Sequence, residues 1–225
     1  VALVIALRGR APVGRLDEEK PMRERLGELA QMARSPLFWA LTLPVGFNKL
    51  TFSSLQGILP LYGARGLGLT TTRIALLFVL IGVCFGVAQP VGGALADRFA
   101  PRAVSIAFMP PMLLALLGMS MTRAFATFTI AFATYIFCSS LIFAATMKHT
   151  AAAFGTNDTY GGVSGIFATV TDLMTIVGPL LFLNIYGVAD GAVFEWMAGV
   201  GVAFMGAFVL FGRDRGARNR LMIRP

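Results

Sequence analysis

Charge is scarce in this chain. Only 13% of its 225 residues are Asp, Glu, Lys or Arg, about half the share of an ordinary soluble domain. A solvated globular enzyme and a disordered chain are both excluded on that ground. Histidine occurs once, at His149, and cysteine twice, at Cys84 and Cys138. Both cysteines lie inside apolar runs without a spacing partner, which excludes a disulfide scaffold, and no cluster fits a metal site, a catalytic triad or a phosphate loop. What the chain does have is 56% hydrophobic residues, with 25 Gly and 19 Phe, and a mean hydropathy of +0.75. Gathered into long runs, these residues indicate a polytopic membrane protein.

Crossing ~30 Å of hydrocarbon takes about 20 apolar residues in a helix. Six segments meet this: 37–61, 74–96, 103–122, 125–147, 163–186 and 192–211. They lack strand alternation, and an open sheet edge cannot face lipid, so the expected fold is an all-α membrane protein, a six-transmembrane-helix bundle over 37–211. The apolar run 1–7 is too short to cross and reads as the tail of a preceding transmembrane helix, the alternative being a short N-terminal anchor. It has neither the basic region nor the cleavage site of a signal peptide, and a start at Val1 rather than Met suits a fragment. Residues 8–36 hold seven bases and five acids and read as a cytoplasmic linker. Met22, Leu26, Leu29 and Ala33 recur there at the spacing of a surface amphipathic helix. A basic tail occupies 212–225, and no convincing repeat relates spans one to three to spans four to six.

The connections set the direction. Fifteen Lys and Arg fall on one side, in 8–36, at Arg98, Arg102 and Lys148 and in the tail, against Arg65, Arg73 and Arg123 on the other. The positive-inside bias puts both chain ends in the cytoplasm and the bundle in the cytoplasmic membrane. The net charge of +8 is therefore a topology signal, and nucleic acid is not an expected partner; the lipid bilayer is. Ser35-Pro36 opens the first span as N-cap and first helical residue. Pro44, Pro60, Pro90, Pro110, Pro111 and Pro179 lie within spans, where each removes a backbone hydrogen bond and can bend its helix.

Two motifs carry a resemblance. Spans two and three are joined by Gly93-Ala-Leu-Ala-Asp97-Arg98-Phe-Ala-Pro-Arg102, which resembles the Gly-x-x-x-Asp-Arg-x-Gly-Arg-Arg/Lys loop of the major facilitator superfamily, with Ala100 and Pro101 in place of its Gly and first Arg. Span five contains Asp172-Leu-Met-Thr-Ile-Val-Gly178-Pro179, similar to the Asp-x-Gly-x-x-x-Gly-Pro pattern of that family's helix eleven, with Met174 in place of the middle Gly. With six spans and an inside linker, the resemblance covers the whole chain and maps it onto the end of helix six through helix twelve, the C-terminal half of a twelve-helix transporter. The missing N-terminal six-helix half is then an expected partner. Gly92 and Gly93 supply small residues where helices touch, and Asp97 can accept hydrogen bonds at the start of the next helix or face a neighbouring N-terminus. The resemblance implies that Gly93, Asp97, Arg98 and Arg102 form a cytoplasmic latch, with the arginines pairing to acids of the other half. The alternative is a plain basic loop.

Within the membrane, Lys49 lies ~20 Å along its span at ~1.5 Å per residue. A lysine there costs ~2.5–3.5 kcal/mol to insert, so it should face a polar cavity or a partner. Thr42, Lys49, Ser53 and Gln56 share a stripe, with Asn48 adjacent. Asp172 is the one acid deep in a span, sharing a face with Ala168 and Thr175. The family's helices seven and eleven both border the central cavity, so a Lys49–Asp172 pair is geometrically open, with Asp172 a candidate for proton coupling or a structural part of its motif. Tyr135, Ser139 and Thr146 are further cavity candidates at helical spacing, beside Ser140. Gly178 and Pro179 serve bending and packing. Gly82, Gly86, Gln89 and Gly93 form a stripe suited to close helix contact.

The function expected from the resemblance is secondary active transport of a small organic molecule by alternating access, with no enzyme activity, no cofactor, and a proton gradient as the energy source for export. The rivals are uptake of a small metabolite such as an organic acid or sugar, with Lys49 holding a carboxylate, and, more distantly, a non-transporting membrane scaffold.

Overall fold

The computed structural model describes residues 34–154 and 160–211, with side chains described for 34–153 and 165–211. The readings made for 1–33 and 212–225 lie outside the described residues. Six long helices follow one another: α1 (Pro36–Arg65), α2 (Thr71–Arg98), α3 (Pro101–Met121), α4 (Phe125–Phe154), α5 (Tyr160–Ala189) and, after a 3-10 turn at Asp190–Ala192, α6 (Val193–Phe211). No strand occurs among the described residues.

Local chemistry sets most of the boundaries. Pro36 and Pro101 occupy first-turn positions of α1 and α3, where the missing N–H is not needed. Ser35 stands at the N-cap of α1, but contrary to expectation its side chain makes no cap hydrogen bond. Thr70 caps α2, its side chain accepting from Arg73 N at 3.5 Å. Between them α1 ends on Gly66, whose N–H donates to Tyr62 O at 2.8 Å, and Gly68 takes φ +61°, a conformation a side chain would strain. All six span prolines stay inside continuous helices.

Thr71–Arg98, Pro101–Met121, Phe125–Ala153 and Gly165–Phe211, the last covering α5 and α6 together, are long and apolar enough to cross a membrane. Helix α1 has the length, 30 residues, but is diluted by Thr42, Asn48, Lys49, Thr51, Ser53, Ser54 and Gln56. It tolerates them because it is the most enclosed element, packed against α4, α5 and α6.

The packing has an internal order. Helix α1 packs on α5 and α6, and α4 packs on α2 and α3; α1 meets α4, and α3 meets α6. Exchanging α1–α3 with α4–α6 maps this pattern onto itself, so the bundle is built from two three-helix units that the sequence does not betray. Each unit lends one glycine to the other's crossing. A Cβ on Gly92 would meet Leu141 Cα and O at 3.1 Å, and one on Gly178 would drive into Leu50 O and lie 2.8 Å from Ser54 Oγ. Such approach is how membrane helices gain close dispersion contact. Met174, the departure from the helix-eleven pattern, packs its Cγ 3.4 Å from where a Cβ on Gly46 would stand, so bulk on α5 is matched by its absence on α1.

Two sequence expectations for α2 are corrected. The stripe Gly82, Gly86, Gln89, Gly93 is not a packing seam within this bundle: a Cβ on any of its three glycines would find open space, and Gln89 is exposed. The seam is Leu77, Ile81, Ala88, Gly92 and Ala96, about a third of a turn away. Of the Gly92-Gly93 pair, only Gly92 touches a helix.

One end of the bundle is closed by aromatic rings. Tyr62, Phe128, Phe132 and Phe194 are fully buried, with centroids 5.1 Å apart for Tyr62–Phe194, 5.6 Å for Tyr62–Phe128 and 6.2 Å for Phe128–Phe132. Outward, Leu76, Val79, Val83 and Val87 on α2 and Leu173, Ile176 and Leu180 on α5 are exposed, apolar surface of an extent that requires lipid or another apolar partner.

Candidate functional site

Helices α4 and α5 barely touch, and a cleft of about 300 Å³ opens between them against α1. Helix α1 contributes Val45 and Lys49 to it, α4 contributes Phe143, Met147, Thr150 and Ala151, and α5 contributes Phe167, Ala168, Thr171 and Asp172. On α4 and α5 these residues lie toward the end of the bundle that carries Arg102 and Lys148, whereas Lys49 is fourteenth of the 30 residues of α1. The cleft thus runs from that end to mid-bundle, and its charges lie at the deep end. A volume of this size is at the lower edge of small-molecule sites.

At that depth Lys49 Nζ donates to Asp172 Oδ1 at 3.3 Å. The two helices run in parallel register here, since Gly46 faces Met174 and Leu50 faces Gly178, and this register brings the ammonium to the carboxylate. Lys49 is 38% and Asp172 64% exposed, so the pair looks into open space rather than into a dry core. Pairing offsets the cost of an isolated charge at mid-bundle. The walls are apolar in effect: the hydroxyl of Thr150 donates to Thr146 O at 2.9 Å and that of Thr171 to Phe167 O at 3.0 Å.

The other expected cavity residues are placed differently. Asn48, Tyr135 and Ser139 do not line the cleft. Asn48 Nδ2 donates to Ser139 O at 3.2 Å and contacts its Oγ, Tyr135 Oη and Thr51 Oγ1 stand 2.5 Å apart, and all four residues are buried between α1 and α4. Asn48 lies one residue, about 100° of helix, from Lys49, enough to turn it from the open face into the interface. Ser53 is half-buried and donates to Leu50 O at 3.2 Å. Gln56 is exposed on the Lys49 face beyond the cleft, and Thr175 donates to Thr171 O at 3.5 Å. Thr42, first of the α1 stripe, is buried against Phe38 O. Sequence reasoning missed Phe143, Met147 and Phe167, because an apolar residue beside a cavity has the same signature as one facing lipid.

At the loop motif, Asp97 pairs with Lys148 of α4 rather than with the start of α3. Arg102 Nη2 donates to Val209 O at 2.7 Å, a cation on the last turn of α6, where carbonyls are unsatisfied and the helix dipole is negative. Arg98 is exposed. The motif therefore ties α2, α3, α4 and α6 together within this bundle. Among the described residues no group of His, Cys, Asp and Glu is arranged to hold a metal.

No curated protein matches the chain. A family model does, that of the Major Facilitator Superfamily, over residues 1–179 and again over 41–221. With the all-helical bundle and its apolar membrane-length helices, this match makes the chain a multi-pass membrane protein belonging to the Major Facilitator Superfamily, a family of transporters.

Proposed function

We propose that the protein moves a small organic molecule across the cytoplasmic membrane by alternating access, exporting it in exchange for protons, with the cleft between α1, α4 and α5 as its share of the substrate site. The observation that carries this reading is the Lys49–Asp172 pair, 3.3 Å apart and open to the cleft. A mid-membrane ion pair that faces open space can be opened by whatever competes for either charge. A proton on Asp172 releases Lys49; a cationic group takes the carboxylate instead. Because proton and substrate compete for one carboxylate charge, loading of one expels the other, which is the requirement for exchange. The second wall of the site comes from another six-helix bundle of the same transporter, against which the exposed faces of α2 and α5 rest. Arg98 of the loop motif reaches acids on that bundle from the cytoplasmic side, where both chain ends lie.

Reconstitution of the intact transporter with a pH-sensitive dye in the vesicle lumen tests this. Candidate amines, amino acids and organic acids that are accumulated should dissipate an imposed pH gradient. Asp172→Asn should abolish the proton movement while leaving substrate counterflow measurable. Accumulation without any proton flux removes the exchange mechanism. The rival reading, uptake of an organic acid held by Lys49, requires that Lys49→Ala abolish uptake of acids and spare neutral and cationic substrates.

A further inference from the structure

We infer that the cleft selects a zwitterion: a molecule with an ammonium and a carboxylate at one end and a compact apolar body at the other. This rests on the reading of the cleft as the substrate site. Lys49 and Asp172 meet through one oxygen, Asp172 Oδ1, and among the described residues each is the other's only ion-pair partner. An ammonium has three donors and a carboxylate two acceptor oxygens, so both groups keep unused capacity while the pair stays intact. A ligand bearing a single charge would leave the site with a net charge at mid-membrane, where an uncompensated charge is costly. A zwitterion avoids this. Its carboxylate accepts a hydrogen bond from a free N–H of Lys49, its ammonium donates one to the second oxygen of Asp172, and the four charges sum to zero.

The rest of the cleft fixes the body of the ligand. Val45, Phe143, Met147, Phe167 and Ala168 line it, and the two threonine hydroxyls are engaged by their own helices. Beyond the ion pair the walls that this bundle supplies therefore offer dispersion contact and no further polar recognition. At about 300 Å³ this bundle's share of the site holds one ring or a short branched chain.

Three probes with a common phenyl body separate the possibilities in the intact transporter: L-phenylalanine, phenethylamine, which lacks the carboxylate, and 3-phenylpropionate, which lacks the ammonium. Equilibrium binding in lipid nanodiscs should favour the zwitterion by about tenfold or more over either, the size expected for one lost charge-assisted contact. Lys49→Ala should shift the preference to phenethylamine and Asp172→Asn to 3-phenylpropionate. The double substitution Lys49→Asp with Asp172→Lys, which restores a pair, should recover selectivity for the zwitterion and answers for any fold lost in a single variant. Binding of the amine or the acid as tightly as the zwitterion in the unsubstituted protein, or of none of the three, overturns the inference. If one singly charged probe wins and its binding still depends on Lys49 and Asp172, the substrate-site reading survives without the zwitterion. If binding of all three ignores both substitutions, that reading fails as well.

Discussion

Glycine 178 shows how much one missing atom carries. The α1–α5 register that brings Lys49 to Asp172 is only available because α5 can lie on Leu50 O and Ser54 Oγ at Gly178. Gly178→Ala should therefore cost about 1–3 kcal/mol, the usual range for overpacking a fitted contact. Gly92→Ala, with its nearest contacts at 3.1 Å, should cost less. Gly82→Ala, which would meet nothing within this bundle, should be neutral or stabilising by up to about 1 kcal/mol through helix propensity. Unfolding in mixed detergent micelles gives all three, and a Gly178→Ala protein as stable as Gly82→Ala would contradict the crossing. The two charges were legible in the sequence because an ionisable residue deep in an apolar run must have a partner, and there was one of each sign. The glycines were legible only as a type: Gly92 and Gly93 are adjacent, and nothing in the chain says which of two neighbouring faces meets α4.

At the scale of elements, the polar residues of α1 divide into two faces with different physics. Lys49 and Gln56 lie on the open side, while Asn48 and Thr51 are bonded to Ser139 and Tyr135 of α4. The sequence presents these as one polar band because a rotation of 100° per residue separates them only once the neighbours are known. Hydrogen bonds between membrane helices average about 0.6 kcal/mol, so the buried face should be a modest source of stability and not a transport determinant. Tyr135→Phe should cost about 0.5–1 kcal/mol, because Thr51 Oγ1 keeps its donation to Phe47 O at 2.8 Å. Asn48→Ala should cost more, to about 2 kcal/mol, because two contacts to Ser139 are lost at once. Both variants should keep wild-type substrate affinity; a loss of affinity with unchanged unfolding would return Asn48 or Tyr135 to the substrate site. The same logic makes the Asp97–Lys148 pair, at 70% and 37% exposure, worth less than about 1 kcal/mol of stability.

For the whole molecule, the two ends of the bundle are unequal. The crossings at Gly92 and Gly178 hold α2 on α4 and α5 on α1, but no comparable contact holds α4 to α5. Near Arg123 the rings of Tyr62 on α1, Phe128 and Phe132 on α4 and Phe194 on α6 pack together and are buried, and near Lys148 the space between α4 and α5 stays open as the cleft. Helix number and order follow from apolar run length, whereas the closure of one end depends on which rings meet across helices distant in sequence, and 19 Phe in one chain leave that undetermined. The asymmetry has a measurable consequence. In a protein freed of Cys84 and Cys138, Ala168→Cys, exposed on the cleft wall, should react readily with a membrane-impermeant maleimide added from the Lys148 side, and Phe128→Cys from neither side. If the bundle belongs to an alternating-access cycle, a gradient that drives the opposite state should slow labelling at Ala168→Cys several-fold while Phe128→Cys stays unreactive, because the rings pack within this bundle and move with it. Equal labelling of Ala168→Cys from both faces, or labelling at Phe128→Cys that rises with the gradient, would mean that the bundle itself comes apart during the cycle instead of rocking as a unit.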